Sequence, residues 1–117
     1  MDKIKLSEMI RTIAIESERL FDDHSRDYML QITSKVINQK ETGIQIEYQG
    51  NLLKPINHGS DFSLIESEEE ARKAINSMIR DFKIIKYNAT LLLNKFKRHE
   101  DDWFVSLSVE VIENEMS

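Results

Sequence analysis

Cysteine is absent from this chain of 117 residues, and proline and glycine are scarce, with one and three residues. Without cysteine the chain can form no disulfide, thiol nucleophile or thiolate metal site. Three glycines, all in predicted turns, are too few for the glycine-rich loops that hold nucleotide phosphates. No apolar run exceeds three residues, as at 91–93, so the sequence predicts no membrane-spanning segment.

The residues that are present have the proportions of an ordinary soluble protein, with 40% hydrophobic and 32% charged residues. A chain of this length forms one domain with a modest core, so residues 1–117 are predicted to be a single domain. The first residues enter an amphipathic pattern that contains acidic side chains, unlike a signal peptide. We therefore expect a small, acidic, cytoplasmic protein with a net charge of −5 and no membrane association.

Two segments carry apolar residues at helical spacing. The first is predicted to run from about Ser7 to Asp22. Its buried stripe comprises Leu6, Ile10, Ile13, Ser17 and Leu20. The second begins at Ser67, which is followed three residues later by Glu70 as in a capping box, and is predicted to end near Ile85. Its buried stripe comprises Ala71, Ala74, Ile75, Met78, Ile79 and Phe82.

Alternation of apolar and polar residues predicts the strands. The first covers about 28–37, with Val36 directed inward and Ile37 outward, and the second covers about 44–48. A tight turn at Gln49–Asn51 is predicted to lead into a short edge strand over 52–56, where Pro55 can donate no ladder hydrogen bond. The last two strands form a hairpin over 89–112. Its predicted inner face carries Ala89, Leu91, Leu93, Trp103, Val105 and Leu107.

These elements predict an α+β fold in the order α-β-β-(β)-α-β-β, with an antiparallel sheet of four to five strands and both helices on one face. The two halves, 6–49 and 67–112, align at offsets of 61 to 62 residues, which suggests an αββ repeat. Because any two αββ units of similar size would align in this way, the duplication stays a hypothesis. Residues 113–117 are predicted to be a frayed tail.

Catalysis finds little support in the sequence. The three histidines, His24, His58 and His99, fall in polar turns that are far apart along the chain. His24 lies near Asp22 and Asp27, and imidazole with carboxylates can bind a metal, but a solvated turn explains the same residues. No histidine pair at helical spacing and no nucleophile elbow is present. We therefore expect a non-enzymatic protein with no catalytic residue, cofactor or metal site.

The outer face of the predicted sheet favours protein binding. If both helices cover the inner face, several apolar side chains remain exposed together on the other face, a larger patch than a monomer usually shows. The predicted protein-binding residues are Met29, Leu92, Phe96, Phe104 and Ile112. Such a surface suits a homodimer or another protein. Two alternatives stay open: the 49–66 segment folds across this face, or one helix packs on each face.

The element order, in a small acidic chain, is similar to that of the dimeric chaperones of type III secretion effectors. This chain departs from them because no helix is predicted after its last hairpin. The resemblance implies a dimer that binds an extended segment of a partner along its helices and sheet. The sequence thus predicts a small protein-binding module, which would act as a chaperone-like protein, an inhibitor or a regulatory accessory protein.

Nucleic-acid binding is the alternative, and it depends on an uneven charge distribution. Residues 72–98 contain eight Lys and Arg against one Asp, whereas 1–71 and 99–117 are both acidic. The predicted phosphate-binding residues are Arg72, Arg80, Lys83, Lys86, Lys95, Lys97 and Arg98. The αβββα order of the first 85 residues resembles double-stranded-RNA-binding domains in topology. Here, however, the second helix begins with three glutamates, where such a domain would carry lysines.

Overall fold

The computed structural model describes residues 3–23, 27–40, 43–56, 61–80, 82 and 88–111. Within these residues the chain forms two helices and five strands in the order α-β-β-β-α-β-β, which confirms the predicted α+β class. The elements are α1 (Lys3–Phe21), β1 (Met29–Lys40), β2 (Gly43–Ile56), β3 (Asp61–Leu64), α2 (Glu68–Arg80), β4 (Ala89–His99) and β5 (Asp102–Val111). The predicted tail at 113–117 lies outside the described residues.

The strands form one antiparallel sheet in the order β1-β2-β5-β4, so that β2 and β5 are central and β1 and β4 form the edges. The short strand β3 pairs with the last residues of β2, beyond the end of β5. Because Leu53 of β2 pairs with Met29 on one side and with Leu64 on the other, β3 lies on the same side of β2 as β5.

Both helices pack on one face of this sheet. Tyr48 of β2 is fully buried there, with its ring edge-on to Phe21 of α1 at 5.3 Å between centroids. Across the sheet Tyr48 pairs with Val105, which pairs with Phe96, and the Phe96 ring lies beneath Arg72 of α2. The helices therefore lie side by side over what we call the helix face, and the opposite side is the outer face.

A buried pair of hydroxyl groups joins α1 to the sheet. Ser17 Oγ lies 2.5 Å from the Tyr48 hydroxyl and donates to Ala14 O at 3.2 Å. Burial raises the pKa of Tyr48 to about 12, so the phenol stays neutral at ordinary pH. Ser17 falls on the predicted buried stripe of the helix, and Tyr48 supplies the partner that makes its burial acceptable.

The start of α2 agrees with the predicted cap. Ser67 Oγ accepts a hydrogen bond from Glu70 N–H at 3.4 Å, which satisfies one free donor of the first turn. The Glu70 carboxylate contacts Lys54 Nζ of β2 at 2.9 Å, where a capping box would turn it back toward Ser67. The predicted end near Ile85 lies outside the described residues, although Phe82 is buried in the core as expected.

The predicted turn at Gln49–Asn51 is wrong, because β2 runs through these residues without interruption from Gly43 to Ile56. Gly50 is buried there, and a Cβ on it would lie 2.1 Å from Gln31 O. This glycine therefore serves close strand packing instead of a turn. The predicted separate edge strand over 52–56 is also wrong, because these residues are the last part of β2 and the third strand is Asp61–Leu64. Pairing of β2 with β1 stops at Leu53, so Pro55 interrupts no hydrogen bond to β1.

Two register shifts reverse the predicted alternation in the edge strands. The pairing of β1 with β2 shifts between Ile32 and Ser34, and that of β4 with β5 shifts between Leu93 and Lys95. An extra residue in one strand moves every later side chain to the other face. Beyond the first shift Ile37 lies on the helix face and Val36 on the outer face, the opposite of the prediction.

Candidate protein-binding surface

The predicted protein-binding residues do not form one surface. Leu92, with 52% of its surface exposed, and the partly buried Phe104 lie on the outer face as predicted. Met29 pairs with Leu53 on the same face but is only 4% exposed, so the predicted exposure of this residue is wrong. Ile112 lies outside the described residues.

Phe96 lies on the helix face, which corrects its predicted position on the outer face. The register shift before Lys95 brings Phe96 opposite Val105 in the core. Its ring stacks on Trp103 at 4.8 Å with an interplanar angle of 1°, and the Arg72 guanidinium lies 5.2 Å from its centroid. These contacts make Phe96 part of the border of the core, where it supports α2.

The two predicted residues that remain on the outer face are separated by polar side chains. Phe104 and Ser108, the partner of Leu92, lie four residues apart on β5, which corresponds to about 13 Å along a strand. The strands between and beside them carry polar side chains on this face: Gln45, Glu47, Gln49, Asn51, Lys95, Ser106 and Ser108. This part of the outer face is therefore mainly polar. Other apolar side chains of this face lie together beside β3, where Leu53 pairs with Met29 and with the exposed Leu64.

The tip of the β4–β5 hairpin is tied to its neighbours. Asp102 accepts hydrogen bonds from Asn51 Nδ2 at 2.6 Å and Gln49 Nε2 at 3.0 Å, and these bonds lower the pKa of its carboxyl group. Trp103 Nε1 donates to Ile65 O at 3.0 Å. Arg98 donates to the carbonyl of Glu66 at 2.8 Å. Side chains of the second hairpin thus bind β2 and the segment that leads into α2.

The predicted phosphate-binding residues are divided between the two sides of the sheet. Lys95 and Lys97 lie on the outer face, where Lys97 Nζ is 5.5 Å from the Phe104 ring centroid. Arg98 lies on the helix face with its guanidinium bound to backbone carbonyls, and Arg72 pairs with Glu68 at 3.6 Å. Arg80 is exposed at the end of α2, and Lys83 and Lys86 lie outside the described residues.

An open groove of about 650 Å³ runs beside α2. Its lining combines three cationic side chains, two carboxylates and neutral polar groups. The residues are Asp27, Tyr28, Glu69, Arg72, Lys73, Asn76, Ser77 and Arg80. The mixed charge offers no strong preference for a ligand of either sign.

The edge of β1 exposes two adjacent aliphatic side chains. The segment Ser34–Gln39, which we call the β1 edge, follows the register shift and pairs with β2 along one side. Val36 is 46% exposed on the outer face, and Ile37 is 36% exposed on the helix face. Within the described residues β1 has β2 as its one strand partner, so the other side of the segment is open.

The pairing pattern identifies the backbone groups that this edge leaves free. Ile65 N–H donates to Leu52 O, so even-numbered residues of β2 direct their backbone groups toward β3 and β5. Odd-numbered residues of β2 consequently face β1, where their partners are Ser34, Val36 and Asn38. The intervening residues Lys35, Ile37 and Gln39 therefore direct N–H and C=O away from the sheet.

Sequence reasoning missed the β1 edge although part of the signal is present. Between Ser34 and Gln39 the chain has two adjacent β-branched aliphatic residues, a single charge at Lys35, and no proline. Natural edge strands are usually protected by several charges or by proline. That this strand lies at an edge follows from the strand order, which its own sequence does not specify.

No protein-family model matches this sequence, no curated protein is significantly similar to it, and no solved structure significantly resembles its fold. Among the described residues no three His, Asp or Glu side chains lie close enough together to hold a metal ion. None of the helices in the described part is long and apolar enough to cross a membrane. His24, which is explained as part of a solvated turn rather than as a metal ligand, lies outside the described residues.

Proposed function

We propose that this chain is a non-enzymatic protein-binding module that binds an extended polypeptide segment along the β1 edge. The observation that carries the proposal is the open side of Ser34–Gln39, where backbone donors and acceptors have no strand partner among the described residues and aliphatic side chains are exposed on both faces. An added strand would continue the hydrogen-bond ladder of the sheet.

The β1 edge suits a polypeptide better than other ligands. Its free groups, at Lys35, Ile37 and Gln39, alternate N–H and C=O at the spacing of a β-strand, which another extended backbone matches. Val36 and Ile37 extend to opposite faces of the sheet. Alternate side chains of a bound segment would contact them, which supplies sequence preference in addition to the backbone bonds.

The opposite edge of the sheet is protected. Beyond its register shift β4 carries Lys95, Lys97, Arg98 and His99, and all four are exposed. The three Lys and Arg side chains among them discourage the approach of another strand. This difference selects β1 as the edge that binds, with another protein or a second copy of the chain as the partner.

The direction of the backbone groups supplies a direct test. Ile37→Pro removes an N–H that faces outward and leaves the bonds to β2 intact, whereas Val36→Pro removes a bond of the ladder with β2. A photo-reactive residue replaces Gln39 in one variant and, as an exposed control site, Leu92 in another. We expect polypeptide adducts at 39 that Ile37→Pro abolishes without loss of the folded circular dichroism signal. Adducts at 92 alone would contradict the proposal.

Nucleic-acid binding is the second candidate, for which the grouping of Lys95, Lys97 and Phe104 on the outer face is the favourable observation. An aromatic ring with nearby cations can stack a base and hold a phosphate. Because Arg72 and Arg98 lie on the other side and have protein partners, this group is small. Filter binding at low salt tests it, and affinity that falls steeply as salt is added would favour this candidate over the first.

A further inference from the structure

We infer that the segment bound by the β1 edge is the β1 edge of a second copy, paired antiparallel across a two-fold axis at Ile37. The inference rests on the proposed function, because it requires that this edge binds a strand. It adds the identity of the partner and the register of pairing, which places Ile37 beside Ile37 of the other copy and Lys35 beside Gln39.

A row of apolar side chains across the sheet supports this register. On the helix face Leu93, Leu107, Ile46 and Ile37 are successive cross-strand neighbours, one from each of the four main strands. Ile46 and Leu107 are fully buried, whereas Ile37 at the end of the row remains partly exposed. A second copy paired at Ile37 continues the row with Ile37, Ile46, Leu107 and Leu93 in reverse order. Pairing in this register therefore covers Ile37, the exposed end of the row.

The backbone groups of the edge are self-complementary in the same register. Lys35, Ile37 and Gln39 face outward, and pairing about Ile37 places each of them opposite another outward-facing residue. Each of these pairs exchanges two backbone hydrogen bonds in an antiparallel ladder. An axis at Val36, which faces β2, would instead centre the ladder on a non-hydrogen-bonded pair and place Lys35 opposite Ile37.

Charge does not oppose the pairing. Lys35 is the single charged residue of the segment, and its Nζ is already bound to Glu18 of α1 at 2.5 Å. In the proposed register each Lys35 lies opposite a neutral Gln39, so no two like charges face each other directly. The net charge of −5 resides elsewhere on the chain, and the contact between copies is locally neutral.

The absence of cysteine allows a clean test of the register by disulfide formation. In purified protein, single variants Ile37→Cys, Val36→Cys and Leu92→Cys are oxidised, and covalent dimer is measured. Opposed residues of a hydrogen-bonded pair lie about 5.5 Å apart at Cα, within the range of a disulfide. Val36 of one copy is about 8 Å from Val36 of the other in this register, beyond that range. We expect rapid linkage at 37 and slow linkage at 36 and 92; equal or faster linkage at 92 overturns the inference.

Sedimentation equilibrium of the unmodified chain measures the association itself. We expect a monomer–dimer equilibrium that Ile37→Lys weakens on the order of ten-fold or more, because two like charges then oppose each other at the axis. Ile15→Lys, an exposed aliphatic position on α1, is the matched control and should leave the equilibrium unchanged. A monomer at every concentration overturns the second copy as partner. If a photo-reactive residue at Gln39 still forms adducts with a different protein, the dimer is ruled out and the proposed function stands. If the chain dimerises, Ile37→Lys does not weaken the dimer and no adducts form at 39, both the dimer through the β1 edge and the proposed function are overturned.

Discussion

The β1–β2 and β4–β5 hairpins share an architecture and differ in how their outer strands are finished. Each contributes one central strand and one edge strand, and the residues skipped by the two register shifts, Thr33 and Asn94, lie 61 residues apart. Beyond these shifts β4 is covered with cationic side chains, whereas β1 presents Val36 and Ile37. The same framework thus has one edge protected and one edge open, which is why we propose that β1 is the edge that binds.

The two hairpins also differ in their anchoring contacts and in the length of the edge strand beyond the register shift. In the second hairpin Asp102, Trp103 and Arg98 all bind groups outside the hairpin. In the first hairpin Lys35 reaches Glu18 of α1, and β1 continues beyond its shift for seven paired residues, against five in β4. The first hairpin therefore extends further beyond its shift, and that longer segment carries the exposed aliphatic residues. The shared offset agrees with the sequence alignment of the halves, while duplication itself stays a hypothesis.

The largest loss of stability is expected from Gly50→Ala, which disturbs the first hairpin. A Cβ at this position would meet the backbone oxygen of Gln31, and backbone in the middle of a sheet cannot move aside easily. We expect a loss of roughly 3 kcal/mol or more in the free energy of unfolding, measured by urea denaturation. Asn51→Ala, at the next residue, removes one hydrogen bond and should cost about 1 kcal/mol. An unchanged urea midpoint for Gly50→Ala would show that β1 and β2 are not this close.

The next largest effect separates the two faces of β4. Phe96→Ser should cost about 2 kcal/mol, because the ring packs between Trp103 and Arg72 at the border of the core. Leu92→Ser, on the other side of the register shift, should change stability by less than about 0.5 kcal/mol because the side chain is exposed. Thermal and urea unfolding measure both variants. Equal losses would mean that the alternation of β4 continues unbroken and that Phe96 lies outside the core.

The sequence predicted the element order, the faces of both helices and the cap at Ser67, because apolar periodicity and capping are local properties. It missed the shifts at Thr33 and Asn94, since a single extra residue leaves no mark in composition and needs neither glycine nor proline. Gly50 was misassigned to a turn because glycine serves both turns and close strand packing. The candidate site depended on these positions: one shift buried Phe96 and the other exposed Val36 on the outer face.

A smaller effect is expected from the hydroxyl pair that joins α1 to the first hairpin. Tyr48→Phe should cost about 1 kcal/mol at neutral pH, because the buried Ser17 hydroxyl then keeps Ala14 O as a partner and loses the Tyr48 hydroxyl. Burial raises the pKa of Tyr48 to about 12 from the ordinary tyrosine value of 10.0, so the neutral phenol favours folding below pH 10. This contribution falls as pH rises from 10 toward 12, where the unfolded chain ionises first.

Unfolding free energies between pH 8 and 11 measure this dependence. The wild-type chain should lose stability more steeply above pH 10 than Tyr48→Phe does. Tyr28→Phe, at a half-buried tyrosine near the start of β1, is the control and should keep the steep loss. Identical slopes for wild type and Tyr48→Phe would show that the phenol is open to solvent and that α1 is not fixed to β2 through it.

The smallest effect sharpens the difference between the hairpin tips. Hydrogen bonds from Asn51 and Gln49 lower the pKa of Asp102, so its ionised form favours the closed tip. The stabilisation of the tip by ionised Asp102 is fully present above the ordinary carboxyl pKa. It is lost as the pH falls through the lower pKa that Asp102 has in the folded chain. Asp102→Asn should therefore speed amide exchange at Glu100–Trp103 while changing global stability by less than about 1 kcal/mol. In the wild-type chain, acid should speed exchange of the same amides. Asp101→Asn, at the neighbouring exposed carboxylate, is the control and should leave their exchange rate unchanged.

Amide exchange of the first hairpin in the same samples completes the comparison. Asp102 contacts β2 at Asn51 and at Gln49, the partner of Ser34, whereas Ile37 and Gln39 pair with Ile46 and Ile44 further along β2. Acid and Asp102→Asn should therefore leave exchange at Ile37 and Gln39 unchanged. If these outward-facing amides exchange slowly at high protein concentration and quickly on dilution, a strand covers them in the associated state. If the two tips instead loosen together in acid, the anchors of the second hairpin would also hold the first. The contrast between a protected and an open edge would then not explain which strand binds.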